Sequence, residues 1–577
     1  MTMLKIEKNN NVKTNVIFAV IMLIMLGVVL YWGADGNKFD IHIPISYTGG
    51  DDASYASEIK MMLDGNSWLI GDKIGAPYGT DRSAEASYYL FDDVHIISYI
   101  LVHITKNIPL TYNLTFLFII VLNALSSYCV MVNRKLNGMI ACAGSVIYGL
   151  LPFPFMRKGH FMLEAIYCVP IAIMIALWIY EDDSYLKLGK NFGKNMRNIF
   201  AVVASLLFVL NGIGYYAFFS CMIIMLAGIS KSLKKKKMIG CWQAIKQIVL
   251  VAIMYVIILS RYIWKCISLG KFSVGGERSM LDIETFALRI ARLFVCNAGT
   301  GIKFIDDKIS KYFDVMVYPY EMTEYMGLFA IVGFFALLVV LLKKENGELT
   351  LLSEINVLVL IYGTLGGLSV FVFMFLTNAV RCTSRLSVYI AYISIYSLCV
   401  LFNKKIRLLN TRRYFTGVVF GLLTIISILD QLRLISLDNS MYKESYISDH
   451  EIVSELEDAL PDGAMVFQLP YNEYPYSGYV NNMQPDQLFN AYINSKELKW
   501  SYGARVGEKA DIWCREVSEL ETPEMIEKLQ KKGFQAIYID KRGYQVEDFE
   551  KLESEIRNIL KQDPMISIDG NIICFLL

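Results

Sequence analysis

Apolar blocks close to 20 residues long recur along this chain, and they limit its possible folds more than any other feature. A helix of about 20 apolar residues is what crosses the hydrocarbon core of a bilayer. We predict about eleven such spans, at residues 16–32, 112–132, 138–156, 164–180, 198–211, 214–230, 246–264, 326–342, 355–376, 386–402 and 414–430. The charged fraction is only 19%, where soluble domains average about 25%. The predicted fold class is therefore mostly α, a polytopic transmembrane helical bundle.

Two apolar stretches do not fit a single crossing. Residues 198–230 are too long for one span, so we divide them at the turn signal Asn211-Gly212-Ile213-Gly214. Residues 90–105 are interrupted by charged and imidazole side chains, and we expect a helix that lies in the membrane interface. The interrupting residues are Asp92, Asp93, His95 and His103.

The short basic stretches all fall on one side of the predicted membrane. The positive-inside rule makes that side the cytoplasm, together with the N-terminus. The stretches are Arg134 with Lys135, residues 187–197, residues 231–237, Lys343 with Lys344, and residues 404–413. We predict a multi-pass protein of the cell membrane with external loops at about 33–111 and 265–325 and an extracytoplasmic C-terminus. The net charge of +1 indicates no nucleic-acid partner.

The tail after residue 440 has a different pattern, with short apolar runs between amphipathic stretches. Residues 464–469 and 535–540 are predicted strands, and residues 522–532 and 546–562 are predicted helices. Asp569-Gly570 lies between two apolar runs and predicts a hairpin. We therefore divide the chain into a transmembrane domain, 1–435, and a small external α/β domain, 440–577.

The first external loop is the richest in candidate functional residues. Asp51 and Asp52 precede a predicted helix at 53–63, and Asp72 lies in a polar, glycine-rich turn further on. Two interpretations of Asp51 stay open, since an aspartate there can cap the helix or act as a general base at the membrane edge.

Two further clusters carry charge on the predicted external side. Arg157, His160 and Glu164 surround the start of the fourth span, either as functional groups or as part of a loop among lipid headgroups. Arg381 and Arg385 are four residues apart, which predicts one shared helical face that binds a phosphate. The alternative is that these two arginines only anchor the interface, and Arg289 with Arg292 forms a weaker pair of the same kind.

Some classes of chemistry lack their sequence signals. There is no P-loop, which argues against an ATP-driven pump, and the eleven cysteines form no C-x-x-C pair that would predict a zinc site. The longest cytoplasmic loops have under about twenty residues, so no internal domain is large enough for a nucleotide sugar. Chemistry on the external side then needs a donor delivered there, and a lipid-linked donor fits best.

Five short motifs together resemble the membrane-embedded (GT-C type) glycosyltransferases that use polyprenyl-phosphate sugars. These are Gly50-Asp51, residues 75–79, residues 157–160 leading to Pro170, residues 381–387 and residues 499–504. They cover nearly the whole chain in order. Members of that superfamily carry an acidic residue in the first external loop, and the resemblance places Asp51 there, with Asp52 as the alternative.

The resemblance implies a single inverting displacement. Asp51 or Asp52 would deprotonate an acceptor hydroxyl, and the arginines Arg381, Arg385, Arg157 and Arg292 would bind the donor phosphate. His160, Glu164 and Asp72 are candidates for substrate binding, and the implied partners are a polyprenyl-phosphate sugar, a cell-envelope glycan acceptor and membrane lipids. Asp51, Asp52 and Asp72 could supply oxygens to a divalent metal, although their spacing does not require one. A transporter or flippase of lipid-linked saccharides is the alternative function, and a scaffold for envelope assembly is a third.

Overall fold

Helices account for most of the structure, a computed structural model that describes residues 2–65, 67–84, 92–187, 192–211, 214–269, 279–296, 303–314, 322–343, 347–408, 413–475 and 478–577. The helices are α1 (Thr2–Val28), α2 (Asp51–Gly65), α3 (Asp93–Thr105), α4 (Ile108–Asn133), α5 (Gly138–Gly149), α6 (Pro152–Phe155), α7 (Phe161–Glu164), α8 (Cys168–Glu181), α9 (Phe192–Leu210), α10 (Tyr215–Lys235), α11 (Ile239–Ile258), α12 (Ser260–Leu269), α13 (Met280–Thr285), α14 (Lys303–Asp314), α15 (Leu328–Lys343), α16 (Glu348–Gly363), α17 (Ser369–Phe375), α18 (Ser387–Leu408), α19 (Arg413–Leu432), α20 (Lys443–Ala459), α21 (Phe489–Asn494), α22 (Lys509–Ser518), α23 (Thr522–Lys532) and α24 (Val546–Leu560). The strands are β1 (Ile70–Gly71), β2 (Thr80–Asp81), β3 (Met465–Leu469), β4 (Lys499–Trp500), β5 (Phe534–Asp540), β6 (Met565–Ile566) and β7 (Ile572–Leu576).

Seven helical stretches of the described residues are long and apolar enough to cross a membrane. They are Val12–Gly33, Ile108–Asn133, Gly138–Phe155, Tyr215–Lys235, Ile239–Ile258, Thr383–Ile406 and Tyr414–Leu432. Four shorter apolar helices accompany them, at Asp93–Thr105, Cys168–Glu181, Asn195–Leu210 and Leu328–Lys343. The predicted polytopic helical fold is therefore confirmed.

One of the predicted membrane spans is wrong. The stretch 355–376 is not a single helix, because α16 ends at Gly363 and α17 begins only at Ser369. The turn between them contains Gly366 in the left-handed region (φ +66°), a conformation that glycine adopts without a steric penalty. Each of the other predicted spans overlaps a helix.

Parts of several predictions lie outside the described residues. They are residues 90 and 91 of the predicted interfacial helix, Gly212 and Ile213 of the predicted turn, Lys344, and positions 188–191 and 409–412 of two basic stretches.

The tail forms a five-stranded sheet in the order β4-β3-β5-β7-β6. Strand β3 pairs in parallel with β4 and β5, whereas β5 pairs antiparallel with β7, and β7 with β6. The strands and helices predicted for the tail are found within a few residues of their expected bounds. Helix α23 ends at Gly533 in the left-handed region (φ +95°), as the glycine after the amphipathic stretch predicts.

The sheet does not end at β4, since the first loop continues it. The Trp500 N–H donates to the Lys73 carbonyl at 2.8 Å, and the Trp500 carbonyl accepts from Ala76 N–H at 2.9 Å. Ile74 forms a parallel bridge with Trp500. Residues 73–76 of the first loop therefore cover the β4 edge that would otherwise be open.

Candidate active site

The two adjacent aspartates at the start of α2 have different surroundings. The Asp52 carboxylate accepts hydrogen bonds from the Ser46 hydroxyl at 2.9 Å, from Thr48 N–H at 2.5 Å and from the Thr48 hydroxyl at 3.0 Å. Asp52 is 4% exposed, whereas the Asp51 side chain is 69% exposed. Asp52 therefore holds the loop that leads into α2, and Asp51 is the carboxylate that a substrate can reach.

His160 lies beside Asp51. Its Nε2 is 3.7 Å from Asp51 Oδ2, which is too long for a hydrogen bond but close enough for an ion pair when the imidazole is protonated. The His160 ring lies 6.3 Å from the ring of Tyr55, which is on α2. An exposed carboxylate with an imidazole beside it is a suitable arrangement for moving a proton. We call this region, residues 46–53 with residues 157–164, the aspartate side.

Two neighbours fix the position of His160. Gly159 has φ +97°, and a Cβ on it would lie 2.7 Å from the Cβ of Asp52. Only glycine allows the turn to lie this close to α2. Glu164 is fully buried and accepts a hydrogen bond from His160 N–H at 3.0 Å. Arg157 belongs to the same turn, since its carbonyl accepts from the same N–H at 2.9 Å.

The backbone just after this turn is irregular, and side chains of other helices satisfy it. Five consecutive carbonyls, at residues 163–167, each accept a hydrogen bond of 2.6–2.9 Å from a side chain. In chain order of the carbonyls, the donors are Tyr216, Asn123, Asn211, Tyr148 and Ser126. Irregular backbone is tolerated between membrane helices only where such partners exist. The five bonds therefore fix the turn that carries His160 to the helical bundle.

The predicted arginine pair does not lie on one helical face, so that part of the prediction is wrong. Arg381 precedes a short 3₁₀ turn, Thr383–Leu386, that contains Arg385. The backbone there bonds to neighbouring segments, with Ser384 N–H donating to the Phe286 carbonyl at 3.1 Å and the Thr383 hydroxyl to the Gly363 carbonyl at 2.7 Å. These bonds replace the helical pattern that the four-residue spacing assumed.

The arginines have separate partners. Arg381 forms an ion pair with Asp282 at 2.5 Å. Arg292 and Glu324 form another at 3.1 Å, with both side chains almost completely buried. Arg385 is 7% exposed, and its guanidinium lies 4.3 Å from the centre of the Tyr215 ring. We call residues 282–293 with residues 380–386 the arginine side.

An apolar groove begins at the same tyrosine. It has a volume of about 890 Å³ and is lined by α10, α11, α16 and the stretch around α17. The lining includes Tyr215, Phe218, Cys221, Val251 and Val380. Tyr215 is thus both the end of the groove and the ring on which Arg385 lies.

The tail contributes a carboxyl group close to Asp51 that the sequence did not single out. Asp486 N–H donates to the Gly49 carbonyl at 2.8 Å, and the Asp486 carboxylate accepts from the Tyr502 hydroxyl at 2.9 Å. Burial raises the pKa of Asp486 to about 7, and the Tyr502 bond opposes that rise. Asp486 is more than 430 residues from Asp51 in the chain, so spacing could not have indicated it.

A buried charged cluster joins α2, α3 and the tail, and it was also missed. His95 Nε2 lies 2.8 Å from Glu58, and the Arg82 guanidinium is 3.8 Å from Glu58. Arg82 is fully buried and lies 4.4 Å from the Tyr474 ring centre. This cluster holds α2, and hence Asp51, against the tail.

A shared metal site for the three aspartates does not form. Asp52 is occupied by Ser46 and Thr48, and Asp72 lies in the turn after β1, near the other end of α2. Over the described ranges, no group of three or more His, Cys, Asp or Glu side chains is placed to hold a metal ion. The suggestion that Asp51, Asp52 and Asp72 together supply metal ligands is therefore not supported by their arrangement.

Comparison with known proteins gives structural matches only. No family model matches the chain, and no curated protein matches it. ArnT from Cupriavidus metallidurans in the apo state superposes with a TM-score of 0.50 at 12% identity, covering 97% of each chain. The apo Archaeoglobus fulgidus oligosaccharyltransferase gives 0.46 at 14% identity, covering 92% of this chain and 69% of that one. The arabinofuranosyltransferase AftD from Mycobacteria gives 0.45 at 14%, covering 92% and 35%. The chain therefore shares its fold with ArnT from Cupriavidus metallidurans.

Proposed function

We propose that this protein is a membrane glycosyltransferase. It transfers a sugar from a polyprenyl-phosphate donor to a cell-envelope glycan or polymer on the outer face of the cytoplasmic membrane. The observation that carries the proposal is the apolar groove that ends at Tyr215, directly beneath the Arg385 guanidinium. A polyprenyl phosphate is a long hydrocarbon chain that ends in a phosphate. Its chain matches the apolar groove, and its phosphate matches the guanidinium at the end of the groove.

The dimensions of the groove suit a lipid chain. Tyr215 and Met225 both line it and are ten residues apart on α10, about 15 Å along the axis. That length is half of the roughly 30 Å hydrocarbon core. A polyprenyl chain could therefore lie in the groove within one leaflet, with its phosphate at the Tyr215 end. The structure of ArnT from Cupriavidus metallidurans is also known with undecaprenyl phosphate bound.

Arg385 is the arginine best placed for the donor phosphate, with Arg381, Arg157 and Arg292 as further candidates. The ring of Tyr215 supports the Arg385 guanidinium without cancelling its charge. Arg385 contacts a ring that lines the groove, whereas Asp282 and Glu324, the ion-pair partners of Arg381 and Arg292, do not line it. The negative charge on the phosphate rises as the sugar leaves, so a fixed guanidinium stabilises the transition state more than the ground state.

Asp51 serves as the general base, with His160 beside it. It takes the proton of the acceptor hydroxyl while that oxygen bonds to the anomeric carbon of the donor sugar. The bond from that carbon to the phosphate oxygen breaks in the same step, and the lipid phosphate leaves with the electron pair. One displacement of this kind inverts the anomeric configuration.

The proposal requires the site to be outside the cell. We therefore propose that the N-terminus is cytoplasmic and that the α/β tail, 440–577, is extracytoplasmic. Reporter fusions after residue 236 and after residue 577 should give opposite locations. Identical locations for the two fusions would contradict both the topology and an external site.

The direct test is transfer by the purified protein. It is incubated with labelled polyprenyl-phosphate sugars and envelope fractions, and the label is followed into the polymer. The wild-type protein should form a new glycosidic bond, and the Asp51→Asn variant should not. Label that crosses a vesicle membrane without any new bond would instead indicate a flippase.

A further inference from the structure

A second cavity lies between the first loop and the tail, away from Asp51. It is a cleft of about 750 Å³ whose walls are residues 70–72 and 76–81 on one side and Met465, Lys499 and residues 508–510 on the other. That volume is within the range of about 300–1,000 Å³ typical of ligand sites. Unlike the membrane groove, the cleft is lined by charged side chains.

Tyr78, on the cleft wall, holds two lysines, of which Lys509 lines the cleft and Lys532 adjoins it through its contact with Tyr78. Lys509 Nζ lies 4.2 Å from the centre of the Tyr78 ring, and Lys532 Nζ lies 4.4 Å from it. Lys532 Nζ also donates to the Tyr78 hydroxyl at 3.0 Å, and this bond lowers the pKa of Tyr78. An aromatic ring attracts an ammonium group without neutralising it, so both positive charges remain available.

The lysines and most of the carboxylates of the cleft differ in their partners. In the part of the chain that the structure describes, none of Lys499, Lys509 and Lys532 forms an ion pair. Glu508, by contrast, accepts from the Thr80 hydroxyl at 2.8 Å and from Asp81 N–H at 3.0 Å. Asp81 is paired with Lys265 at 2.9 Å. The charge left for a ligand is therefore mainly positive.

We propose that this cleft binds an anionic saccharide through its phosphate or carboxylate groups, with Lys509 and Lys532 as the principal ligands. Lys499 adds a third cation, and the exposed Asp72 carboxylate can accept hydrogen bonds from sugar hydroxyls. This inference rests on the proposed function, because it assigns the acceptor to an anionic glycan.

The position of the cleft indicates a polymer. Gly71, on its wall, packs against Met61, since a Cβ at Gly71 would lie 3.0 Å from Met61 Cε. Met61 is ten residues along α2 from Asp51, about 15 Å. An acceptor that fills the cleft and also presents a hydroxyl to Asp51 must span that distance, as a chain of several sugars does and a monosaccharide does not.

Binding can be measured without any transfer. The full-length protein in detergent is titrated with glycerol-phosphate oligomers, with oligogalacturonates and with neutral malto-oligosaccharides of equal length. Both anionic series should bind at least tenfold more tightly than the neutral one, and their affinity should fall with added salt. The double variant Lys509→Gln/Lys532→Gln should bind the anionic oligomers at least tenfold more weakly.

The matched control is Lys528→Gln/Lys531→Gln, which removes two exposed lysines that do not contact Tyr78. It should bind like the wild type, and both variants should melt within a few degrees of it. Equal binding of neutral and anionic oligomers, or equal losses in the two double variants, would overturn the inference. If the oligomers bind at the cleft but the protein transfers no sugar, the cleft is a glycan site and the proposed enzymatic function is wrong. If Lys509→Gln/Lys532→Gln transfers sugar to the envelope acceptor at the normal rate, the cleft is not the acceptor site, and the proposed enzymatic function stands.

Discussion

The aspartate side and the arginine side each contain one pair of like charges that the sequence could not rank, Asp51 with Asp52 and Arg381 with Arg385. The structure separates the members of each pair by different means. On the aspartate side both residues belong to one helix, and hydrogen bonds engage Asp52 while Asp51 stays exposed. On the arginine side the backbone is irregular and both guanidiniums lie over rings, but Arg381 also pairs with Asp282, while the ring under Arg385 is Tyr215, which lines the groove.

Neighbours in sequence therefore need not share a function. A carboxylate with three acceptor contacts used by its own loop has a structural task, as does an arginine with a carboxylate 2.5 Å away. We therefore expect the chemistry from Asp51, which is exposed, and from Arg385, whose Tyr215 contact borders the apolar groove. Substitutions at these four positions test that division.

The largest effect is expected at Asp51. Asp51→Asn should lower the transfer rate by about 10²–10⁴-fold, because an amide cannot take up the proton. Its melting temperature should stay near that of the wild type, since the Asp51 side chain is mostly exposed.

Asp52→Asn should behave in the opposite way. It should lower the free energy of unfolding by about 1–3 kcal/mol through weaker hydrogen bonds to Ser46 and Thr48, while the folded fraction keeps most of its activity. Activity assays and thermal melts on both variants decide the point. A larger activity loss in Asp52→Asn than in Asp51→Asn would reverse the assignment.

A smaller effect is expected on the arginine side. Arg385→Lys keeps the charge but loses the planar donor fork, and we expect kcat/KM for the donor to fall about 10- to 100-fold. Arg381→Lys can keep its ion pair with Asp282, so its loss should be below about threefold. Steady-state kinetics with varied donor measure both, and equal losses would show that the two arginines act together.

The groove offers a third test. Cys221→Trp fills part of the groove that ends at Tyr215, and we expect the donor KM to rise about tenfold (about 1.4 kcal/mol of binding free energy), because the indole occupies space that the lipid chain needs. The control is Cys129→Trp, which fills a separate apolar groove of about 630 Å³ between α4, α8 and α9. An unchanged donor KM in Cys221→Trp, or the same rise in both, would place the lipid elsewhere.

The smallest effect concerns pH. The pKa of Asp486 is raised to about 7 by burial, so the folded protein holds that proton more tightly than the unfolded chain does. Stability from this group is present below about pH 4 and is lost as pH rises towards 7. The groups around Asp486 are Tyr502, Asp51, Arg82 and Asp52.

Asp486→Asn should therefore flatten the fall in melting temperature between pH 4 and pH 7. Some slope should remain, because burial also raises the pKa of Asp449, to about 6. Melting curves of the two proteins across that interval measure the difference. An unchanged slope would mean that Asp486 ionises in the folded protein as it does in the unfolded chain.

Much of the fold could be predicted because its signals are local. Apolar length located the membrane helices, and a glycine at φ +95° ended α23 where the sequence indicated. The span at 355–376 failed because apolar length does not reveal a turn at Gly366 within an otherwise apolar stretch.

The candidate site was only partly predictable. Asp51, His160 and Arg385 were expected from charge at predicted membrane edges. Local sequence does not show that Ser46 and Thr48 fold back to bond Asp52. The ion pair of Arg381 with Asp282 and the hydrogen bond of Asp486 to Gly49 depend on contacts between distant segments. The resemblance to glycosyltransferases predicted Asp51 and the arginines as site residues, but not the contacts that each of them makes.

The bridge between residues 73–76 of the first loop and β4 also affects the synthesis of the protein. Lys73 binds the Lys496 carbonyl 423 residues later in the chain, and translation at about 5–20 residues per second takes roughly 20–85 s to cover that interval. During that time residues 73–76 have no β4 edge to pair with, and α2 lacks the tail that packs against it. A chain released early would carry most of its membrane helices and its Asp51, yet it would not hold Asp51 in place.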